Sequence, residues 1–191
     1  MNSHDPASQK IAMSQWARNL LTSNALILDF ETTGLHGADI VQIGIVDMNG
    51  NATYEKLVKP AMSIPSDATR VHGITNDMVE NTPTFENLYI ELSVLLAGRT
   101  VIAYNADFDK GILNGVCKRR GLPVPRIKTW ECAMRAYARY YMGGRGGGSW
   151  QSLSKACMQQ NIVIENAHTA VADCIMTWKI CLLYTSPSPR D

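Results

Sequence analysis

The sequence predicts an α/β fold, a domain whose mixed sheet is flanked by helices. Three strand-like segments come first, and the second and third are joined by Asn49-Gly50, a pair that favours a tight hairpin. Helical and strand-like segments then alternate along the rest of the chain, which is typical of α/β domains. The chain has 191 residues, enough for one domain with a substantial core.

Each predicted element follows from the spacing of its apolar residues. The first strand is an apolar run up to Asp29, which indicates burial on both faces. The predicted strands span 25–30, 40–48, 52–58, 101–104 and 127–130. The predicted helices span 14–21, 85–96, 105–120, 131–141, 150–160 and 170–182, with single helical turns at 66–71 and 76–80.

Composition limits the classes of protein to which the chain can belong. With 46% apolar and 18% charged residues it is globular rather than disordered. The net charge of +1 neither requires nor excludes a nucleic-acid partner. Five scattered cysteines without a C-x-x-C pair indicate reduced thiols in a cytoplasmic protein. With no signal-peptide pattern and no apolar run approaching about 20 residues, we expect no membrane association.

A pair of acids stands at the end of the first predicted strand. Asp29 and Glu31 are two residues apart, so their side chains point to the same side of the strand. Two such carboxylates repel each other and lose hydration, which a divalent cation would offset. Two solvated acids before a turn would explain the pair equally well. The following Thr32-Thr33-Gly34 turns the chain sharply and can bring backbone groups close to a ligand.

Further acids occupy comparable positions later in the chain. Asp109 follows the fourth predicted strand, and Asp173 lies in the first turns of the last long helix, with His168 just before it. Sites in open α/β sheets form outside the carboxyl ends of central strands, where Asp29 and Asp109 are both expected. If the last helix packs across the sheet, four carboxylates and a histidine converge. That set suits two divalent ions promoting displacement at phosphorus.

Three motifs resemble, in order and spacing, those of the DEDDh 3′–5′ exonucleases. They are Asp29-Phe30-Glu31-Thr32-Thr33-Gly34, Asn105-Ala106-Asp107-Phe108-Asp109 and His168-Thr169-Ala170-Val171-Ala172-Asp173. This family includes the epsilon subunit of bacterial DNA polymerase III, ribonuclease T and oligoribonuclease. Val71-His72-Gly73-Ile74-Thr75 is similar to the segment between its first two motifs, whereas Lys128-Thr129 replaces a frequent Asp-Thr. Three motifs in register are far more specific than any one, and the sequence looks like a bacterial or phage member.

The resemblance implies a ribonuclease H-like fold with a central mixed sheet of five strands. It implies that Asp29, Glu31 and Asp173 hold one metal ion. Asp29 would also contact a second ion, on which Asp109 would act through water. The two ions would be Mg²⁺ or Mn²⁺. His168 would be the general base.

The resemblance also assigns residues to the terminal nucleotide of the substrate. Leu35 would wedge under the last base, and His72 would line the pocket of that base. The implied substrate-binding set is Thr32, Thr33, Gly34, Leu35, His72 and Asn105.

The predicted function is a metal-dependent 3′–5′ exonuclease that releases nucleoside 5′-monophosphates from single-stranded DNA 3′ ends. An RNA-trimming enzyme similar to oligoribonuclease and a non-catalytic nucleic-acid-binding module are the alternatives. The presence of all four acids and of His168 argues against the second, because an inert module has no need of a costly charge cluster. A polymerase or another replication or repair protein is the expected protein partner.

Three regions are predicted along the chain. Residues 1–24 form an N-terminal helical extension and residues 25–180 the exonuclease domain. Residues 181–191 form a loose tail of non-native appearance, in which Ser186-Pro187-Ser188-Pro189 cannot continue a helix.

Overall fold

The five predicted strands form one mixed sheet. The computed structural model describes residues 6–141, 150–163 and 168–185. The strands are β1 (Leu26–Thr32), β2 (Ile40–Asp47), β3 (Ala52–Leu57), β4 (Thr100–Ala103) and β5 (Thr129–Cys132). Their order is β3-β2-β1-β4-β5, with β2 antiparallel to β1 and β3, and β4 parallel to β1 and β5. The predicted α/β architecture is thus confirmed, and β1 is its central strand.

Helices cover both faces of this sheet. They are α1 (Pro6–Leu21), α2 (Ser66–His72), α3 (Asn76–Val79), α4 (Phe85–Leu96), α5 (Ala106–Arg119), α6 (Ala133–Tyr141), α7 (Leu153–Gln159) and α8 (Ala170–Leu182). Apolar side chains of α1, α6, α7 and α8 form one core layer, and those of α4 and α5 form the other. The glycine-rich segment 143–148 lies outside the described residues.

The alternation of side chains along β1 decides which layer each residue joins. Ile27 packs into the layer of α8, whereas Leu26, Leu28 and Phe30 pack into the layer of α4 and α5. Successive side chains of a strand point to opposite faces. Asp29 and Glu31 therefore share the face of Ile27 and α8.

Both ends of the described chain are packed more extensively than the sequence predicts. The first helix begins at Pro6 rather than at residue 14, and its Met13, Ala17 and Leu20 join the core of the domain. At the other end α8 continues to Leu182, and the buried Tyr184 lies in a 3-10 turn. The predicted loose tail therefore cannot begin at residue 181, because residues 181–185 are packed. Residues 186–191 lie outside the described part.

None of the helices in the described part of the chain has both the length and the apolar composition needed to cross a bilayer. All five cysteines carry free thiols, and four of them are buried.

Candidate metal centre

Asp29 and Glu31 are placed by the alternation of side chains along β1. The predicted strand ends at Phe30, but the observed strand continues to Thr32, so both acids lie within it. Asp29 pairs with Gly44 on β2, so the two residues face the same side of the sheet. That side is covered by α8.

Gly44 allows α8 to lie directly on the sheet beside Asp29. A β carbon at Gly44 would lie 2.4 Å from the carbonyl carbon of Ala170 and 2.6 Å from the amide nitrogen of Val171. The buried Gln42 holds the same helix start, because its Oε1 accepts a hydrogen bond from the Ala170 amide at 3.0 Å. These contacts fix the first turn of α8, which carries Asp173.

Three carboxylates meet at this junction. One oxygen atom each of Asp29, Glu31 and Asp173 lies within 4.8 Å of the other two. Oxygen ligands from carboxylates are those that Mg²⁺, Mn²⁺ and Ca²⁺ prefer. The arrangement therefore fits a hard divalent cation, and the three acids come from β1 and α8 as the sequence predicts.

Asp109 approaches the trio from the opposite helix layer. It lies in the first turn of α5, only 3% of its surface is exposed, and its Oδ1 accepts a hydrogen bond from the Phe30 amide at 3.3 Å. Asp109 is not one of the three acids whose oxygen atoms lie within 4.8 Å of one another, so it stands outside the close trio. Its charge still acts on Asp29 and Glu31.

The four acids strongly resist ionisation. Burial raises the pKa of Glu31 to about 8, with further repulsion from Asp173 and Asp109. Burial raises the pKa of Asp109 to about 7, although the Phe30 amide opposes the change. The pKa values of Asp29 and Asp173 are raised as well, first by burial, and for Asp29 also by the three neighbouring acids. Such a cluster is stable in ionised form only with a cation bound.

His168 is joined to this cluster through its backbone. Its amide donates a hydrogen bond to Asp173 Oδ1 at 3.2 Å, and its own backbone is left-handed, with φ at 69°. The residue is exposed. Its position at the rim of the acid cluster suits a base that receives a proton from solvent-accessible water.

His72 is the buried histidine of the site. Its Nδ1 accepts a hydrogen bond from the Ile74 amide at 3.0 Å, which places the ring proton of the neutral form on Nε2. Nε2 lies near the Thr32 backbone but makes no hydrogen bond of good geometry within the described residues. Burial lowers the pKa of His72, and the neighbouring His168 acts in the same direction. A neutral ring whose buried Nε2 proton lies next to the Thr32 backbone therefore borders the loop after β1.

That loop uses its own hydroxyl groups internally. Thr32 Oγ1 donates to the Gly34 carbonyl at 2.7 Å, and Thr33 Oγ1 accepts from the Asp39 amide at 2.9 Å. Leu35, in contrast, is 74% exposed at the tip. Asn105 is exposed directly before α5. The exposed Leu35 is therefore freer to contact a ligand than either threonine hydroxyl.

Sequence reasoning missed Asp39, Gln42 and Gly44, which position the site without being part of the acid cluster. A buried polar residue in an otherwise apolar strand was the available signal for Gln42. For Gly44, a glycine in the middle of a predicted strand indicates a close backbone approach.

Comparisons with known proteins agree with this geometry. The sequence profile of the RNase_T family, described as exonuclease, matches residues 26–181. The uncharacterized exonuclease CP81 of Escherichia phage 186 is 35% identical over 174 residues, which cover 86% of this chain and 90% of that protein. The DNA polymerase III subunit epsilon of Treponema pallidum is 29% identical over 167 residues, covering 83% of this chain and 73% of that protein.

A solved structure shares both the fold and part of the sequence. Exonuclease X, in complex with 5′ overhanging duplex DNA, superposes with a TM-score of 0.61 at 27% identity. The match covers 84% of this chain and 90% of that one.

Proposed function

This chain belongs to the RNase_T exonuclease family, and we propose that it is a metal-dependent 3′–5′ exonuclease acting on single-stranded DNA ends. The half-buried cluster of Asp29, Glu31 and Asp173 is the observation on which the proposal rests. Such a cluster lowers the stability of the folded chain, and cation-dependent chemistry gives a reason for that cost. The products would be nucleoside 5′-monophosphates.

The acids have distinct roles in this proposal. Asp29, Glu31 and Asp173 would hold one Mg²⁺ or Mn²⁺ ion, and Asp29 would share a second ion with Asp109. Asp109 would contact that second ion through water, which fits its position outside the close trio. Two ions, when bound, orient the water and stabilise the charge that develops on the phosphate oxygens.

His168 would accept the proton of the attacking water. The water oxygen forms a bond to the terminal phosphorus, the bond from phosphorus to the 3′ oxygen of the preceding nucleotide breaks, and that oxygen takes up a proton. The rim position of His168 lets the ring exchange its proton with solvent after each turnover. General-base assistance of this kind contributes roughly 10²–10⁴-fold to the rate.

The loop after β1 would receive the terminal nucleotide. Residues 32–35 would contact this nucleotide, with the exposed Leu35 packed against the last base. His72 would line the pocket of the last base beside Thr32, and Asn105 would contact the strand at the start of α5.

A cavity beside α5 has the composition expected for the strand that leads to the site. It measures about 370 Å³, and its lining includes the side chains of Trp16, Lys110, Trp130, Arg135 and Arg139. Arginine and lysine bind phosphates, and indole rings stack on bases of any sequence. The cavity also contains Asp107, which borders a second cavity at Leu35. A strand lying in the first cavity would therefore lead towards the nucleotide loop.

Two of the relatives favour DNA over RNA as the substrate. The solved relative at 27% identity is bound to DNA, and the Treponema relative is a subunit of a DNA polymerase. On the same ground, a polymerase or another replication or repair protein is the proposed partner. Five free thiols fit the reducing cytoplasm, which is the proposed location.

The test is digestion of matched DNA and RNA oligonucleotides, labelled at either end, with Mg²⁺ or Mn²⁺. We expect the 3′ label to appear at once as a mononucleotide, and the 5′ label to pass through a ladder of shortening strands. Internal cuts, early release of the 5′ label, or digestion in excess chelator would contradict the proposal. A faster reaction on RNA would reassign the substrate, and binding without cleavage would indicate a non-catalytic module.

A further inference from the structure

Asp39 is a buried acid at the start of β2, outside the metal centre. Its carboxylate accepts hydrogen bonds from the Ala61 amide at 2.8 Å, Arg119 Nη2 at 3.1 Å and Arg120 Nη2 at 2.9 Å. Burial raises the pKa of Asp39, but these donors outweigh burial and hold the pKa below its usual value. The carboxylate of Asp39 is therefore ionised near neutral pH and remains paired with both arginines.

The backbone of the same residue holds the nucleotide loop. The Thr33 amide donates to the Asp39 carbonyl at 2.9 Å, and the Asp39 amide donates to Thr33 Oγ1, also at 2.9 Å. The amide and the hydroxyl of Thr33 are thus both engaged by Asp39. The direction in which residues 33–35 leave β1 depends on where Asp39 is held.

Asp39 is held by the end of α5. Arg119 and Arg120 close that helix, and Arg119 also donates to the Ala38 carbonyl. Arg120 is further fixed by Glu86 of α4, with 2.7 Å between Nε and Oε1. At its other end α5 carries Asp109, which accepts from the Phe30 amide of β1. One helix therefore fastens both the acid end of β1 and the loop that follows it.

We propose that Asp39 is a positioning residue, which sets the nucleotide loop at a fixed distance from the metal centre through Arg119 and Arg120. This inference rests on the proposed exonuclease function. Asp39 does not touch the reacting atoms, so its loss should impair the seating of the terminal nucleotide more than the chemical step.

Asp39→Asn tests the role because it keeps the shape and removes the charge that the arginines require. The matched control is Asp47→Asn at the other end of β2. Asp47 is also an acid that accepts backbone hydrogen bonds, from Asn49 and Asn51 at 2.9 Å each, but it serves the β2–β3 turn. Both variants lose charge-assisted bonds and some stability.

The measurements are KM and kcat on a 3′-labelled single strand and binding of the same strand by fluorescence anisotropy with Ca²⁺. The shift in melting temperature with Mn²⁺ is recorded alongside them. For Asp39→Asn we expect KM and the anisotropy Kd to rise about tenfold, as expected for the loss of one charge-assisted bond. Because Asp39 does not touch the reacting atoms, we expect kcat to change by less than about threefold. The rise in melting temperature with Mn²⁺ should persist. Asp47→Asn should match the wild type in all four.

Arg119→Gln provides a second variant if Asp39→Asn does not fold. The Arg119 side chain is 38% exposed, so its replacement is tolerated more easily, and the same rise in KM is expected. Equal KM and Kd values for the Asp39, Arg119 and Asp47 variants would overturn the positioning role while leaving the exonuclease function intact. A wild-type protein that neither cleaves nor binds the strand would remove the proposed function, and with it the role of Asp39.

Discussion

The amide of His168 donates a hydrogen bond to Asp173 Oδ1 at 3.2 Å, so the proposed base and a proposed metal ligand are joined through the main chain. A substitution that removes only the imidazole leaves this bond in place. The role of the ring in proton transfer can therefore be separated from the placement of Asp173.

His168→Asn should lower kcat by about 10²–10⁴-fold while the Mn²⁺-induced rise in melting temperature stays close to that of the wild type. Asparagine is chosen because it tolerates the left-handed backbone found at this position. The variant should also lose the acid limb of the kcat–pH profile between pH 5.5 and 9. An acid limb that survives in the variant would assign the proton to another group.

Metal-free protein should lose stability as the pH rises from 5 to 9. Glu31 and Asp109 have pKa values of about 8 and 7 in the folded chain, above the roughly 4.3 and 3.9 expected in the unfolded chain. Between the unfolded and the folded pKa values, the folded state binds more protons than the unfolded state. The free energy of unfolding is therefore greatest near pH 4 to 5, and it falls as the pH rises through about 7 and 8.

Melting temperatures measured from pH 5 to 9, in chelator and in Mn²⁺, test this dependence of stability on pH. Mn²⁺ should raise the melting temperature far more at pH 8 than at pH 5, because the cation replaces the protons. Asp29→Asn should abolish turnover and make the loss of stability with rising pH smaller, because the raised pKa of Asp29 no longer contributes to it. Asp107→Asn, in an exposed acid of α5, serves as the control. A flat metal-free profile in the wild type would contradict the proposed charge cluster.

Gly44→Ala should disable the site although Gly44 touches no substrate. The added carbon would lie 2.4 Å from the Ala170 carbonyl carbon, so the start of α8 and its Asp173 must shift. Overpacking of this kind costs about 1–3 kcal/mol, and we expect loss of turnover and of the Mn²⁺ effect on melting.

Gly111→Ala is the matched control for that substitution. Gly111 lies within α5, and a β carbon there would meet no atom within 4 Å. Alanine is the better helix former, so this variant should gain about 0.5–1 kcal/mol of stability and keep the Mn²⁺ effect on melting. Equal effects of the two glycine substitutions would contradict the proposed role of Gly44.

Replacing both Lys110 and Arg139 with alanine should raise KM for single-stranded DNA and leave kcat nearly unchanged. The two side chains line the cavity beside α5. On a single strand each phosphate contact contributes about 0.7 to the log–log slope of affinity against salt, so losing two should reduce the slope by about 1.4. Lys56→Ala, on the exposed edge strand β3, is the control. An unchanged slope in the double variant would place the strand elsewhere.

Tyr184→Ala should destabilise the fold by about 3–5 kcal/mol, as for other large aromatic residues removed from a core. The ring is 1% exposed and packs between Trp16 and Tyr140, with centroid distances of 6.1 and 4.8 Å. Tyr184→Phe keeps the ring and removes only the hydroxyl group. The buried Oη has no hydrogen-bond partner within the described residues, so its removal should cost no stability. Thermal melts should show a large loss for alanine and none for phenylalanine. Equal losses would contradict this account of the packing.

Local sequence patterns were sufficient for the sheet and for placing Asp29 and Glu31 on one face of β1. The apolar run before Asp29 and the Asn49-Gly50 turn are short-range signals that tertiary context did not override. Asp29 and Glu31 share a face because they are two residues apart on a strand, which is a property of any strand.

Local sequence patterns did not predict the contacts between segments that are distant in the chain. Arg119 and Arg120 lie at the end of a predicted helix, where the sequence gives no sign of a distant partner, yet they bind Asp39, 80 and 81 residues earlier in the chain. Likewise, Ser186-Pro187 led us to predict a loose tail, but Tyr184, just before this pair, is buried against α1 and α6. Neither pairing leaves a periodic trace in the sequence, because it depends on how whole elements pack.

The docking of α8 on Gly44 also sets the order in which the enzyme acquires its activity during synthesis. Asp29 and Glu31 leave the ribosome early, whereas Asp173 follows only with the last long helix. Until residues through Leu182 have emerged and α8 has settled against β2, the growing chain carries two of the three carboxylates of the trio and no complete cation site. The proposed cation site is therefore completed only at the end of synthesis, when the last long helix packs against the sheet.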